Sequence, residues 1–558
     1  MVALTGAEAM VRMLQLHGVR HIFGLCGDTS LPLYDALARL DHGITHILTR
    51  DERSAAYMAD GYARVSGRVG VCEGPSGGGA TYLLPGVVEA NESSIPVLAL
   101  TTDIATTSRG RYALTELDQE ALYRPLARST EVIARPDWIP DAVRRAFRAM
   151  TAGRPGAAHL GLPFDVQKGT VEASALWGSP ELGVFPSSRA APERGAIEKA
   201  ASLLAAAKLP VFVCGGGVVI SGAEPELAAL AERLGAPVAT TVSGQGAIAE
   251  DHPLALGVVG SNGGTPSTRE ALAQADLVVF VGCRAGSVTT ERWRCPAPGT
   301  RIVHIDADPM VIGANYRTEV GLAGDAKLAL RLISNFLGEN GRRNGEDLVR
   351  TSKERKFAEF RKLAASDAVP ILPERIVATL QELLPEDAVV VCDPGTPCPY
   401  FSAYYEFRRS GRHFISNRAH GALGYAMSAA AGAHFGRPQA RVVAVMGDGS
   451  FGFTAGELET LVRLRIPVAM VVISNAGYGW IKAGQKSGFG ARYFSVDFSR
   501  TDHARVAEAF GVRAWRVERP DALRPALAAA LARGGPALVD VVAQPLHEAR
   551  APVSEWVA

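Results

Sequence analysis

Short apolar runs, each ending at a glycine or polar turn that leads into a stretch of helical period, recur along the whole of this 558-residue chain. The runs lack the in–out alternation of a half-exposed strand, so they read as strands buried on both faces. Such strands alternating with helices dictate parallel sheets covered on both sides. The first group holds His21–Gly27, Gly43–Arg50, Val69–Gly74, Ile95–Asp103 and His159–Val166 as strands, with Thr5–His17 and Ser54–Gly67 as helices. PVFVCGGG, PVATT, ADLVVFVGCR and RIVHIDADP form a second group. AVVVCDPGTP, ARVVAVMGDGS, IPVAMVVISN and PALVDVVAQP form a third. At roughly 150 residues per domain, a chain of this length holds three or four domains. The predicted fold is α/β, with three consecutive doubly wound parallel-sheet domains.

Composition places the boundaries and removes several classes of function. Glu172–Glu193 is rich in Pro, Ser and Gly without a period, and Leu337–Asp347 turns polar. The expected division is 1–170, a linker 171–193, a central domain 194–340, a linker 341–370, a third domain 371–545 and a tail 546–558. With 58 Lys+Arg against 57 Asp+Glu, the chain has no bulk charge to draw it to nucleic acid or to an anionic membrane. Seven cysteines, an odd number without a C-x-x-C pair, argue against a disulfide framework and against a thiolate zinc site. The N-terminal stretch shows no secretory pattern, and no apolar run is long enough to span a bilayer, so a cytoplasmic protein is expected.

The strongest chemical signal lies in the third group. Gly447-Asp448-Gly449 follows an apolar strand and opens a helix, where glycines let backbone N–H groups approach a phosphate. Asp448 is a hard oxygen ligand beside that anion site. The next strand ends at Asn475, 27 positions beyond Asp448. In a parallel β-α-β unit both strand ends lie on one edge of the sheet, so the carboxylate and the amide oxygen meet around one cation. Oxygen ligands beside a diphosphate suit Mg²⁺. Singly, Asp448 reads as a helix cap and Asn475 as a turn residue; their spacing between two apolar strands carries the functional reading.

With these residues the chain resembles the thiamine diphosphate-dependent enzymes related to acetolactate synthase, pyruvate oxidase and benzoylformate decarboxylase. The resemblance covers nearly the whole chain. It implies a pyrimidine-binding N-terminal domain, a Rossmann-like central domain and a diphosphate-binding C-terminal domain. By that resemblance Asp448, the Asn475 side chain and the Gly477 carbonyl bind Mg²⁺, while Gly447, Gly449 and Ser450 contact the diphosphate. Tyr478 and Ile481 fall among the cofactor contacts. LTRDERSAAYMADGYARVSG matches the segment that carries the family's catalytic glutamate, here Glu52. A carboxyl group there exchanges a proton with the cofactor's aminopyrimidine, so that the cofactor becomes a carbon nucleophile and an electron sink. Taken alone, Glu52 reads as a solvated charge between Asp51 and Arg53. In NRAHGALGYAMSAAAGA, Leu423 corresponds to the residue wedged between the two cofactor rings, and Gly421 offers its carbonyl to the 4′-amino group. Gly395 and Thr396, in DPGTP, match a second diphosphate loop. SGGGAT (Ser76–Thr81) matches the family's S-G-P-G-A-T turn, and Gln119 falls where the family has an active-site glutamine.

Other positions depart from the family. Its L-P-K-D-V is Leu162-Pro163-Phe164-Asp165-Val166 here, so Phe164 replaces a lysine, and Trp480 stands where a methionine is usual. Both positions are expected to line the substrate pocket. In the central domain Arg284 matches the flavin enzyme's R-F-D-D-R-V-T, but its two acids and second arginine have no counterpart, which leaves FAD or another adenine nucleotide open. The resemblance implies a carbon–carbon lyase or ligase acting on a 2-oxo acid or an acyl substrate, acetolactate synthase-like. Alternatives are a simple 2-oxo-acid decarboxylase and a 2-hydroxyacyl-CoA lyase; from other classes, a nicotinamide dehydrogenase or a non-catalytic subunit. The family's glutamate acts across a subunit interface, which implies a homodimer or homotetramer.

Overall fold

The computed structural model of the chain describes residues 3–338 and 343–556. Among these residues, twenty strands are arranged in three parallel six-stranded sheets and one small antiparallel pair. The pair is β1 (Ala3–Thr5) with β8 (Thr170–Glu172). The first sheet contains β2 (His21–Gly24), β3 (Thr45–Leu48), β4 (Gly70–Gly74), β5 (Val97–Asp103), β6 (Ser129–Val132) and β7 (Ala158–Pro163), ordered β3-β2-β4-β5-β7-β6. The second contains β9 (Pro210–Cys214), β10 (Val238–Thr240), β11 (Ala255–Val258), β12 (Leu277–Val281), β13 (Arg301–Asp306) and β14 (Val320–Ala323), ordered β11-β10-β9-β12-β13-β14. That is the strand order of a dinucleotide-binding fold. The third contains β15 (Val389–Cys392), β16 (Phe414–Ser416), β17 (Val442–Gly447), β18 (Val468–Ser474), β19 (Arg513–Val517) and β20 (Ala537–Val542), ordered β16-β15-β17-β18-β20-β19. The first and third sheets therefore share one winding. Their central strands β4, β5, β17 and β18 are almost wholly buried, as runs covered on both faces must be.

The chain divides into two compact units. One comprises residues 1–188 together with 417–439 and 454–466; the other holds 189–416, 440–453 and 467–558. Within the first unit, helices Glu52–Ser66 and Ala426–Gly436 pack backbone against backbone. A Cβ on Gly61 would lie 2.2 Å from the Ala429 carbonyl oxygen, and one on Gly432 would lie 1.9 Å from that of Met58. Both glycines serve helix packing. Gly432→Ala is expected to destabilise this unit by about 1–3 kcal/mol, the usual range for overpacking. A melting temperature equal to that of the unaltered protein would refute the close contact.

Two expectations need correction. The segment expected to link at 341–370 is a twenty-residue helix over Gly345–Ala364; Gly341 and Arg342 of that segment lie outside the described residues. Gly345, Val349, Ser352, Lys356 and Phe360 form its buried stripe at helical spacing. Two of those five positions are polar, which hid the period. Lys356 is buried beside Glu250, whose carboxylate supports the ammonium against the effect of burial. Segment 171–193 lacks a period and is fastened to its neighbours. Val69 N–H donates to the Gly183 carbonyl, Arg68 and Val184 form a bridge, and the Arg144 guanidinium lies 4.0 Å over the Trp177 ring. Phe164 does not continue β7 but starts a short helix, Phe164–Lys168.

Candidate active site

In a doubly wound sheet, ligands bind beyond the carboxyl ends of the strands, where the winding reverses. In the third sheet that point lies between β15 and β17. The Asp393–Pro397 turn follows β15, Gly447-Asp448 closes β17, and Ser474-Asn475 closes the adjacent β18. Asp448 Oδ2 accepts the backbone N–H of Asn475 at 2.8 Å and that of Ala476 at 2.6 Å; Oδ1 accepts from Gly449 N–H at 2.9 Å. The two loops expected to share a cation are thus tied together by the carboxylate itself. Ala476 is held at φ +54°, a left-handed conformation that a non-glycine residue rarely adopts away from functional loops.

Several features of this corner fit a cation with a diphosphate. Burial pushes the Asp448 carboxyl above its ordinary value while the three N–H donors pull it back. Among the described residues no lysine or arginine neutralises it. The Asn475 side-chain nitrogen is buried without a hydrogen-bond partner. Its N and O ends are interchangeable by a flip, so one end of this amide awaits a ligand. A Cβ on Gly479 would lie 3.3 Å from Thr396 Oγ1 and 3.4 Å from Asn475 Nδ2, which places both side chains at one glycine. A Cβ on Gly449 would lie 2.8 Å from the Tyr478 ring, whereas Gly395 and Gly447 face open space. The Gly477 carbonyl accepts the Gly479 N–H at 2.9 Å and keeps a second lone pair. Ser450 is buried, Ile481 is exposed, and Trp480 packs edge-on against Trp556. No group of three His, Cys, Asp or Glu residues suited to a metal occurs among the described residues. One carboxylate, an amide and a carbonyl are the kind of set that Mg²⁺ completes with phosphate and water.

The first sheet reverses its winding between β2 and β4, and the Ser76–Thr81 turn follows β4. Glu52 is the first residue of its helix, behind the N-cap Asp51. The residue is 7 % exposed, and burial, then the charge of Asp51, raise its pKa. A Cβ on Gly79 would lie 3.1 Å from Glu52 Oε1, so the carboxyl rests against this turn. Gln119 is also buried here. Its Nε2 donates to the Thr102 carbonyl at 3.0 Å, and its Oε1 accepts from the Thr101 hydroxyl. One amide hydrogen of Gln119 stays free of these bonds. Thr101 has a single proton to give, so His159 Nε2–H must donate to it, at 2.7 Å. Burial lowers His159 to about 3 and keeps it neutral. Its ring stacks on Tyr123, whose hydroxyl donates to the Ala80 carbonyl in the turn.

The segment with Gly421 and Leu423 belongs to the same unit. Ala419 and His420 N–H donate to Glu89 Oε2 at 3.1 and 2.7 Å. Glu89 in turn pairs with the buried Arg64, which also binds Asp60. Gly421 adopts φ +76° and Gly424 φ +85°, so this loop needs its glycines. Phe164 is half-buried, with the Lys168 ammonium 5.4 Å over its ring.

Sequence reasoning missed Glu73, a fully buried acid in the apolar strand VGVCEG, and missed the Thr101–His159 support of Gln119. A charged residue inside a run patterned for burial was the available signal. In the central domain the glycine turns have a packing cause. A Cβ on Gly215 would lie 2.1 Å from the Gly282 carbonyl, and one on Gly217 would lie 2.6 Å from the Gly282 Cα. Arg284 is exposed, and its carbonyl accepts from Asn315.

Comparison with known proteins agrees with this geometry. Three family models match: the thiamine pyrophosphate enzyme N-terminal TPP binding domain over residues 4–122, its central domain over 197–333, and its C-terminal TPP binding domain over 393–541. A protein of Methanocaldococcus jannaschii named "Probable acetolactate synthase large subunit" is 37 % identical, covering 97 % of this chain and 92 % of its own length. The acetolactate synthase of Arthrospira platensis is 32 % identical, covering 96 % and 94 %. The acetolactate synthase isozyme 3 large subunit of Escherichia coli is 31 % identical, covering 95 % and 92 %.

Proposed function

The chain belongs to the thiamine pyrophosphate enzymes, and from that premise we propose how its residues serve a thiamine diphosphate-dependent 2-oxo-acid carboligase of the acetolactate synthase type. Mg²⁺ would be held by Asp448, the Asn475 amide and the Gly477 carbonyl. Gly447, Gly449, Ser450, Gly395 and Thr396 would receive the diphosphate. Gly421, Leu423, Tyr478 and Ile481 would contact the rest of the cofactor, and Phe164 and Trp480 would line the substrate pocket. The observation that carries this reading is the buried Asp448 carboxylate, bound by N–H groups of the next strand's loop beside an unpartnered asparagine amide. Bound there, the cofactor supplies a carbon nucleophile and an electron sink for the carbonyl carbon of a 2-oxo acid. Glu52 would exchange a proton with it, and Gln119 would offer its remaining N–H to the reacting group.

A lysine at position 164 would hold an acceptor carboxylate by charge, and Phe164 does not. That departure favours an apolar or uncharged acceptor, or none, and keeps the simple decarboxylase and the 2-hydroxyacyl-CoA lyase as second readings. A panel of 2-oxo acids separates them. Ligated product beside CO₂ is expected; stoichiometric aldehyde without ligated product would replace the carboligase by a decarboxylase. The central-domain glycines, accounted for by packing, weaken the case for FAD there.

We also propose the division 1–170, 194–340 and 371–545 as the three domains, the helix over Gly345–Ala364 standing between the last two. A homodimer or homotetramer would present Glu52 of one subunit to the cofactor loops of the other. Exposed Tyr82, Tyr112 and Leu114 on the first unit are apolar surface for such an interface. No helix among the described residues is long and apolar enough to cross a membrane. The cysteines, none disulfide-bonded, fit the proposed reducing cytoplasm.

A further inference from the structure

Glu73 is the penultimate residue of β4, with its side chain wholly buried. Ser30 Oγ lies 2.7 Å from its Oε1 and the Tyr34 hydroxyl 2.8 Å from its Oε2. Tyr34 also meets His46 Nε2 at 3.0 Å. Among the described residues no lysine or arginine pairs with this acid.

The hydroxyls around Glu73 can be assigned by counting protons. Thr115 donates to the Leu114 carbonyl. Each hydroxyl has one proton, so Ser76 donates to Thr115 at 2.7 Å and Thr29 to Ser76 at 3.2 Å; the Thr29 oxygen accepts the Ser76 N–H at 3.1 Å and has Thr102, at 2.8 Å, as a second donor. The Thr102 oxygen then takes its donor from Ser30, 3.1 Å away. An ionised Glu73 takes the Ser30 proton at 2.7 Å; a protonated Glu73 donates to Ser30 instead and leaves the Ser30 proton for Thr102. With an ionised Glu73, Ser30 turns to it, and two oxygens at Ser30 and Thr102 face each other with no proton between. On the other side Tyr34 donates to Oε2, and His46 Nε2–H donates to Tyr34.

We propose that Glu73 is a positioning residue for Glu52 and acts in its protonated form. This rests on the thiamine-enzyme reading. Neutral Glu73 completes the donor chain through Ser30, Thr102 and Thr29 to Ser76, in the turn whose Gly79 lies against the Glu52 carboxyl. It also spares Glu52 a negative charge beyond that of Asp51. When Glu73 loses its proton to water, the chain to Ser76 loses its first donor, and a second negative charge stands near Glu52.

The groups around Glu73 are Tyr34, His46, Cys26, Cys72 and Glu52, with Asp28 beside Cys26. Burial raises Tyr34, Cys26 and Cys72 and lowers His46 to about 4, so these four stay neutral near pH 7. Burial pushes Glu73 itself up to about 7, against the bonds from Ser30 and Tyr34 and with the charge of Glu52.

Two measurements test this. Infrared spectra of the cofactor-free protein are expected to show a protonated carboxyl band that titrates near neutrality and is lost in E73Q. Burial also raises Glu374 and Glu457 to about 7, so the wild type minus E73Q difference identifies the band. In the loaded enzyme the amide of E73Q, which still donates, should keep kcat at the optimum within about twofold and move the alkaline limb upward. E73V should lower kcat by about tenfold to a hundredfold with KM little changed. No band lost in E73Q, or an alkaline limb that stays where the wild type has it, overturns the proposal. A protein that takes up no thiamine diphosphate refutes the functional reading instead, while the infrared band still decides the state of Glu73.

Discussion

Glu52→Gln is expected to lower kcat by about 10²–10⁴-fold, the range for loss of a positioned general acid–base group. The amide has the shape of the carboxyl and fits the same space, but it cannot pass a proton at neutral pH. Three features place the carboxyl for that task. It starts a helix behind Asp51, it is nearly excluded from water, and it lies against the backbone turn at Gly79. Burial raises its pKa toward neutrality, where a group gives and takes protons with the smallest penalty. Cofactor affinity should stay within a few-fold, because Glu52 is not among the residues expected to hold the diphosphate. The direct readout is exchange of the cofactor's C2 proton with deuterium, quenched in acid and followed by NMR. Exchange in E52Q at the wild-type rate would remove Glu52 from the chemistry.

The same residues show what a sequence makes legible. The three sheets could be read because strands buried on both faces need unbroken apolar runs. The short edge strands Ser129–Val132, Val320–Ala323, Phe414–Ser416 and Arg513–Val517 could not, since three to five residues carry little period. The helix over Gly345–Ala364 was hidden by Ser352 and Lys356 on its buried stripe. Asp448 and Asn475 were legible because a parallel β-α-β unit fixes where successive strand ends lie. Gln119 was placed by likeness, but its support by Thr101 and His159 joins β5 and β7, which no local pattern records. Glu73 was visible as a charge in an apolar strand; its meaning depends on hydroxyls from Ser30, Tyr34 and Thr102, brought together only by the fold.

Asp448→Asn separates the charge of that residue from its hydrogen bonding. Asparagine keeps an oxygen to accept N–H groups from Asn475 and Ala476, so the loop at Ala476 retains an anchor and the variant should fold. It lacks the negative charge that draws Mg²⁺ to a buried site. Mg²⁺-dependent uptake of thiamine diphosphate, measured by calorimetry, is expected to weaken by at least about a hundredfold, beyond the usual effect of losing an outer-shell partner. Asp448→Ala should lose the same binding and in addition free three N–H groups, 2.6 to 2.9 Å from the carboxylate in the native loop, lowering the melting temperature further. A variant asparagine that bound the cofactor with native affinity and native dependence on Mg²⁺ would mean that the metal sits elsewhere. If D448N lost binding only as far as it lost stability, Asp448 would be a loop anchor and not a ligand. The Asn475 amide nitrogen, buried without a partner in the loop that Asp448 holds, leaves a ligand position open there and argues against that outcome.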